Sequence, residues 1–213
     1  MTQMVEDAKN HLPHFNNAAF DIVAIAASAG GLAALIKLLS TLPQEFTAAI
    51  AIVQHLDPKH PSLMAEILNR HTALSVKQAQ EGDCLTPGTT YIAPPNRHLL
   101  VNGDGTLSLS QSESVHFLRP SADLLFESVA ATYKNRAISL VLTGTGRDGA
   151  MGVKAIKKMG GIVIVQDIKT AEFSGMPSTA IQTGNVDFIL PLDKISSTLV
   201  TLVMGEFDTP RRS

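Results

Sequence analysis

The sequence predicts an α/β fold: a doubly wound, mostly parallel sheet with helices on both faces and a small antiparallel hairpin insertion. Two observations lead to this prediction. From Phe20 onward, short apolar runs rich in β-branched residues alternate with segments whose apolar residues recur every three or four positions. Glycine-rich turns also separate several runs from the helical segment that follows. This alternation is typical of parallel strands joined by helices.

The first two strand and helix units are predicted from apolar spacing. A strand over 21–26 leads through a Gly-Gly pair into a helix whose apolar stripe covers 32–42. A second strand over 48–53 is followed by a helix that begins near Ser62, because the hydroxyl of Ser62 can cap free backbone amides.

A hairpin insertion is predicted between this region and the last units. Residues 90–93, together with 99–101 and 106–109 around a turn at 102–105, have the pattern of antiparallel strands. The later elements are a strand over 138–142, a helix ending at Met159, a strand over 162–165, a helix with Pro177 in its first turn, a strand over 186–190 and a helix over 195–204.

The chain is predicted to form one domain over 20–205, with a flexible tail over 1–19 and a polar tail over 206–213. Its 213 residues are 45% hydrophobic and 17% charged, which is typical of an ordinary globular domain. A formal net charge of −2 excludes a large positive field, so nucleic acid is not an expected partner.

The same composition predicts a cytoplasmic protein that does not insert into a membrane. No apolar run reaches the roughly twenty residues that a bilayer span requires, and the first nineteen residues lack the apolar segment of a secretory signal. The single cysteine, Cys84, excludes an intramolecular disulfide and fits a reducing compartment.

Three residues with the chemistry of acyl transfer stand where predicted strands end: Ser28, His55 and Asp148. Reacting groups of open parallel sheets gather outside the carboxyl ends of the strands. A serine hydroxyl becomes a nucleophile when an imidazole takes its proton and a carboxylate orients that imidazole. We therefore predict a nucleophile, a general base and an orienting acid. The backbone amides that open the first helix, beginning at Ala29, would stabilise an oxyanion.

Taken one by one, these residues have simpler interpretations. Ser28 precedes a glycine pair and has the position of a helix cap. Asp57 or Asp167 could orient a histidine in place of Asp148. The competing bases, for which solvated or capping roles are the simpler interpretation, are His60, His71 and His98.

A second hypothesis comes from the loop Gly144–Gly149, which reads G-x-G-x-x-G between a predicted strand and a predicted helix. This is the fingerprint of dinucleotide binding, with Asp167 available for a ribose hydroxyl. The alternative function is therefore a nucleotide-binding module, or a catalytically inactive regulatory module that uses the same loop. It leaves Ser28 and His55 without a role.

Residues 20–204 resemble the C-terminal catalytic domain of the chemotaxis protein-glutamate methylesterase (CheB) family. The motifs that carry the resemblance appear in order along the chain: Ile25-Ala-Ala-Ser-Ala-Gly-Gly31, Val53-Gln-His55, Glu81-Gly82, Pro87-Gly88, Tyr91-Ile-Ala-Pro94, Arg97-His98, Arg119-Pro-Ser121 with Asp123, Leu142-Thr-Gly-Thr-Gly-Arg-Asp-Gly149 and Gly175-Met-Pro177.

The resemblance implies a serine hydrolase that removes methyl esters from γ-glutamyl methyl ester residues, releases methanol and also deamidates selected glutamines. It implies methylated cytoplasmic helices of chemoreceptors as partners, together with other chemosensory signalling proteins, and it implies no cofactor and no metal. By position, the amide of Thr145 would join the oxyanion site. Family members commonly carry an N-terminal phosphoreceiver domain, whereas only the predicted tail precedes the first strand here, so regulation by phosphorylation within this chain is not expected. Ala29 stands where the family usually has threonine, which leaves the backbone amide in place.

Overall fold

The centre of the protein is a seven-stranded sheet in which every neighbouring pair of strands is parallel. The computed structural model describes residues 14–55, 60–115 and 118–205. The strands of this sheet are β1 (Ile22–Ala27), β2 (Ala49–Gln54), β3 (Ser75–Gln78), β4 (Thr89–Ile92), β7 (Ala137–Val141), β8 (Ile162–Gln166) and β9 (Phe188–Leu190). A separate antiparallel pair consists of β5 (His98–Val101) and β6 (Leu107–Ser110).

The sheet order is β3-β4-β2-β1-β7-β8-β9, which places the first strand in the middle. The chain builds outward from β1 on one side and then returns to add β7 on the other. Strand order therefore reverses between β1 and β7. In doubly wound sheets, the crevice that binds ligands lies outside the carboxyl ends of the strands at this reversal.

Helices cover both faces of the sheet, as predicted. The helices in the described residues are α1 (Gly31–Leu39), α2 (Met64–Asn69), α3 (Ala122–Tyr133), α4 (Ala150–Lys158), α5 (Gly175–Gln182) and α6 (Leu192–Met204), with a 3-10 turn over Lys134–Arg136. One apolar cluster joins α1, α2 and α6 to one face, and a second joins α3, α4 and α5 to the other. Because β1 and β2 are covered on both sides, every residue in them is buried, and all of them are apolar except Gln54 at the end of β2. No helix of the described part of the chain is long and apolar enough to span a bilayer.

The strand predicted over 90–93 was assigned to the wrong sheet. It is β4, a parallel strand of the main sheet between β3 and β2, and not part of the antiparallel insertion. Only β5 and β6 form the insertion. Four residues of a short strand carry no signal that distinguishes parallel from antiparallel pairing.

Two elements were not predicted at all: β3 and α3. The pattern of β3 is weak because only Val76 of its four residues is buried. The helix α3 does carry a helical spacing, with Phe126, Val129 and Ala130 buried against the sheet. It matters for the site because it begins immediately after Ser121.

The predicted tails lie mainly outside the described residues, which exclude 1–13 and 206–213. Residues 14–19 contact the domain: His14 and the backbone N–H of Phe15 bond to the buried Asp21 carboxylate. The Arg136 guanidinium also binds Asp21 and the carbonyl oxygen of Ala18.

Candidate active site

Ser28, His55 and Asp148 meet at the carboxyl edge of the sheet. Each follows one of the three central strands β1, β2 and β7, and together they border one open cavity of about 380 Å³. The other residues of its lining are Leu118, Thr145, Gly146 and Arg147. The topology of the sheet therefore brings together the three residues that sequence reasoning selected.

The turn that carries Ser28 is fixed by its backbone. The Ser28 N–H donates to the Thr143 carbonyl oxygen at 3.1 Å, and the Ser28 carbonyl oxygen accepts from the Gly31 N–H at 2.8 Å. Gly30, at φ +73°, is the residue that caps α1, and no side chain caps this helix. The interpretation of Ser28 as a helix cap is therefore wrong, and its half-buried side chain is available to the cavity.

His55 is held by both its backbone and its ring. Its N–H donates to the Ala27 carbonyl oxygen at 3.1 Å, and its Nε2 lies 2.8 Å from Oδ2 of Asp148. Because a carboxylate only accepts, Nε2 carries the proton in the neutral ring and the lone pair is on Nδ1. Nδ1 is thus the nitrogen that can act as a base. The ring is 10% exposed, so one edge reaches the cavity.

The Asp148 carboxylate is fully buried and accepts from five donors. Oδ2 accepts from His55 and from the Ala122 N–H at 2.6 Å. Oδ1 accepts from the Ser121 hydroxyl at 2.9 Å and from the N–H groups of Asp123 and Gly149, each at 3.1 Å. Burial acts to raise the pKa of Asp148, but the bonds from His55, Ala122 and Asp123 outweigh it and lower the pKa.

The start of α3 supplies three of these donors, and this contribution was not predicted. The family motif around Ser121 and Asp123 was recognised, but no role was derived for it. A carboxylate next to the first free amides of a helix is stabilised by their partial positive charge. Asp148 occupies that place at α3, although it belongs to the loop after β7.

His98 supports the same helix start from β5. It is fully buried, its Nδ1 accepts the Ser121 N–H at 3.1 Å, and its Nε2 lies 3.2 Å from the Glu113 carbonyl oxygen. Burial lowers the pKa of His98, which keeps the ring neutral and Nδ1 able to accept. The expectation of a solvated His98 is therefore wrong, whereas a capping role fits, because Ser121 is the residue that caps α3. His60 and His71 are exposed and do not border the cavity that Ser28, His55 and Asp148 share.

Gln54, at the end of β2, connects the turn that carries Ser28 to His55. Its side-chain Nε2 donates to the carbonyl oxygen of Ser28 at 2.7 Å and to that of His55 at 3.1 Å. A Cβ on Gly31 would lie 2.0 Å from Oε1 of Gln54, so glycine is required at Gly31 for space. The Val53-Gln-His55 motif contained this residue, but periodicity alone could not indicate which backbone groups it binds.

Several backbone amides near Ser28, those of Ala29 and Thr145 among them, have no backbone acceptor in the described part of the chain. In this region the N–H groups of Ser28, Gly31 and Gly144 make backbone hydrogen bonds. Free N–H groups beside a nucleophile are suited to stabilise a developing oxyanion.

In the glycine loop Gly144–Gly149, the first glycine does not offer its backbone N–H to a phosphate group. The Gly144 N–H donates to Phe173 and its carbonyl oxygen accepts from Met176, so its backbone is used within the protein. Asp167 accepts from the Lys169 N–H in a local turn. Asp57, the other candidate orienting acid, lies outside the described residues. Within those residues, no three His, Cys, Asp or Glu side chains are grouped as metal ligands.

Comparisons with known proteins identify the family. The CheB methylesterase family matches residues 23–199. A chain from Leptospira interrogans is 41% identical over 183 residues, which cover 86% of this chain and 95% of that relative. A Pyrococcus horikoshii protein named protein-glutamate methylesterase/protein-glutamine glutaminase is 41% identical over 184 residues, which cover 85% of this chain but 50% of that relative.

A solved structure has the same fold. The Thermotoga maritima CheB methylesterase catalytic domain superposes with a TM-score of 0.83 at 36% identity, covering 86% of this chain and 99% of that one. The family match, over residues 23–199, includes the three strand ends that carry Ser28, His55 and Asp148. The chain therefore belongs to the CheB methylesterase family.

Proposed function

We propose that this protein is a serine hydrolase that removes methyl groups from γ-glutamyl methyl ester residues of proteins and releases methanol. The observation that carries the proposal is the His55–Asp148 pair at 2.8 Å, which borders one open cavity together with Ser28. Membership of the CheB methylesterase family supports the ester class. The methylated cytoplasmic helices of chemoreceptors are the proposed substrate, and other chemosensory signalling proteins are further proposed partners.

In the first step, Oγ of Ser28 attacks the ester carbonyl carbon while Nδ1 of His55 takes the hydroxyl proton. The buried Asp148 carboxylate stabilises the imidazolium that forms. The N–H groups of Ala29 and Thr145 are placed to bind the oxyanion of the tetrahedral intermediate. When the intermediate collapses, His55 returns the proton to the leaving methoxide, and methanol departs.

The second step hydrolyses the acyl-enzyme formed on Ser28. His55 takes a proton from water, the hydroxide attacks the acyl carbon, and the proton passes to Oγ of Ser28 as glutamate leaves. A glutamine substrate follows the same course with ammonia as the leaving group. We extend the proposal to this deamidation because relatives carry both activities in their names. Because the proposed substrate lies on cytoplasmic helices, the proposal includes a cytoplasmic location.

The test measures methanol release from methylated receptor membranes. Ser28→Ala should abolish turnover and labelling by a serine-reactive phosphonate, while the melting temperature stays close to that of the native protein. Ser197→Ala is the matched control, because Ser197 is an exposed serine on α6 whose hydroxyl donates to the Lys194 carbonyl oxygen at 3.0 Å. Undiminished methanol release by Ser28→Ala would overturn the assignment. A rise in melting temperature with NAD or ATP, without phosphonate labelling, would favour the nucleotide-binding alternative.

A further inference from the structure

A second cavity lies beside the catalytic one, between the start of α3, the first half of α4 and the C-terminal half of α5. It has a volume of about 350 Å³ and is lined by Asp123, Arg147, Ala150, Met151, Lys154, Thr179, Gln182 and Thr183. Arg147 lines both cavities. Asp123 donates its backbone N–H to Oδ1 of Asp148 at 3.1 Å. The two cavities are therefore direct neighbours.

A hydroxyl in the wall of this cavity contacts the loop Gly144–Gly149, which also borders the catalytic cavity. The Thr179 hydroxyl donates to the Gly175 carbonyl oxygen at 2.9 Å and also approaches that of Gly146 at 3.4 Å. Gly146 belongs to the lining of the catalytic cavity. A group bound between α4 and α5 is thus held at a defined position relative to Ser28.

The chemistry of the lining favours an anion. Lys154 is exposed on α4 and makes no ion pair within the described ranges, and Arg147 adds a second positive charge. Asp123 is the one carboxyl group of the lining. It is 4% exposed and its Oδ1 accepts the Gly152 N–H at 2.8 Å, so it faces the protein more than the opening. Hydroxyl and amide groups from α5 offer further hydrogen bonds.

We propose that this second cavity is a subsite for a carboxylate side chain of the substrate, located one helical turn from the esterified glutamate, with Lys154 as its charge partner. This inference rests on the proposed function. Side chains three or four residues apart on a helix are neighbours, roughly 5–6 Å apart at Cβ. A helix that places one glutamyl ester at Ser28 therefore presents a neighbouring side chain to an adjacent cavity. Met151, 52% exposed on the rim, provides apolar surface for the helix itself.

The test uses three synthetic helical peptides that each carry one γ-glutamyl methyl ester. The first has glutamate four residues before the ester, the second has glutamate four residues after it, and the third has glutamine at both places. Lys154→Gln should lower kcat/KM by about five-fold on one of the glutamate peptides, as expected for a partly exposed ion pair. On the glutamine peptide the loss should stay below about two-fold.

Lys158→Gln is the matched control, because Lys158 is exposed one turn further along α4 and does not line the cavity. It should change kcat/KM equally little on all three peptides. An equal loss from Lys154→Gln on the glutamate and glutamine peptides would overturn the subsite. The same selective loss from Lys158→Gln would also overturn it, because the effect would then be general electrostatic attraction.

Binding separates this inference from the proposed function. The dissociation constants of the glutamate and glutamine peptides are measured on Ser28→Ala protein with and without Lys154→Gln. Tighter binding of the glutamate peptide that depends on Lys154 supports the subsite, even if the native enzyme releases no methanol and the proposed function fails. Equal dissociation constants for all three peptides overturn the subsite, even if methanol is released.

Discussion

The turns that follow β1 and β7 are neighbours in the sheet but are built in opposite ways. The turn after β1 is short, running from 28 to 30, and it presents the Ser28 side chain to an open cavity. The turn after β7 runs from 142 to 149 and buries the Asp148 carboxylate completely. The two turns bond to each other, since the Thr143 carbonyl oxygen accepts from Ser28 and the Thr143 hydroxyl donates to Ala29.

This difference fits the roles that we propose for the two residues, Ser28 as the nucleophile and Asp148 as the orienting acid. A nucleophile has to meet its substrate, so the turn that holds Ser28 is fixed through its backbone and leaves the hydroxyl in the cavity. An orienting carboxylate must stay ionised and in one position while a positive imidazole forms beside it. Five donors and full burial satisfy both requirements for Asp148.

The largest effect on activity is expected at Asp148, the buried residue of the pair. Asp148→Asn should lower kcat by roughly 10³- to 10⁴-fold, because an amide next to Nε2 favours the wrong tautomer of His55. The variant should also lose about 1–3 kcal/mol of unfolding free energy, since an NH₂ group would face donors at the start of α3. Methanol release and urea unfolding measure the two effects.

The control for this substitution is Asp167→Asn, at the end of the neighbouring strand β8. Asp167 accepts a local bond from the Lys169 N–H at 3.0 Å and does not border the catalytic cavity. It should change kcat by less than about two-fold. If Asp148→Asn were as active as Asp167→Asn, another acid, with Asp57 first among the candidates, would have to orient His55.

The next effect tests how closely the two turns fit. A Cβ on Gly144 would lie 2.3 Å from Sδ of Met176 and 2.8 Å from Cβ of Ser28. The methionine can move, but Ser28 is fixed by its backbone, so Gly144→Ala should displace the nucleophile. A displacement of about 1 Å at reacting groups can cost about 10²-fold in rate. We expect that loss in kcat/KM for methanol release.

Gly146→Ala provides the matched comparison in the same loop. Gly146 has φ +86°, but a Cβ there meets no atom within 4 Å. Its cost should be backbone strain of about 1–2 kcal/mol in unfolding free energy, with kcat/KM lowered only a few-fold. Equal losses of activity in the two variants would show that general flexibility of the loop, and not its contact with Ser28, determines the rate.

The parts of this arrangement that sequence reasoning predicted are those that depend on strand ends. Ser28, His55 and Asp148 each follow a buried apolar run, and parallel topology places such positions at one edge. The G-x-G-x-x-G pattern was ambiguous because spacing does not show where amides point. Gly144 is needed for its contact with Ser28 and Met176, a requirement that only three-dimensional packing reveals.

The supporting residues were not predictable for a related reason. Gln54, His98 and Ser121 act through bonds to partners between 23 and 27 positions away in the chain. No local periodicity encodes such pairs. The helix α3 was also missed, and with it the donors that hold Asp148. The resemblance to a family located the motifs but not their contacts.

The smallest expected effect is on stability, and its pH dependence distinguishes Asp148 from the adjacent Asp123. Burial, together with the nearby Asp148 charge, raises the pKa of Asp123 to about 6, whereas the pKa of Asp148 is lowered. An unfolded chain ionises Asp123 near 3.8, so the folded state loses stability from this group as pH rises from about 4 to about 6 and stays level above that. The effect of pH on Asp148 is the opposite. Ionised Asp148 stabilises the folded state above pH 3.8, and this stabilisation is lost only as the pH falls below that value.

Asp123→Asn removes the loss of stability that ionisation of Asp123 causes between pH 4 and 6, and it keeps an oxygen that can accept the Gly152 N–H. The difference in unfolding free energy between this variant and the native protein should therefore shift in favour of the variant across pH 4 to 6 and then stay constant, which urea unfolding at several pH values measures. Asp104→Asn is the control, because bonds from Thr106 lower the pKa of Asp104 and confine its effect to lower pH. A flat difference for Asp123→Asn would mean that Asp123 is ionised in the folded protein throughout this range. The start of α3 would then hold two carboxylates beside His55 even in mild acid.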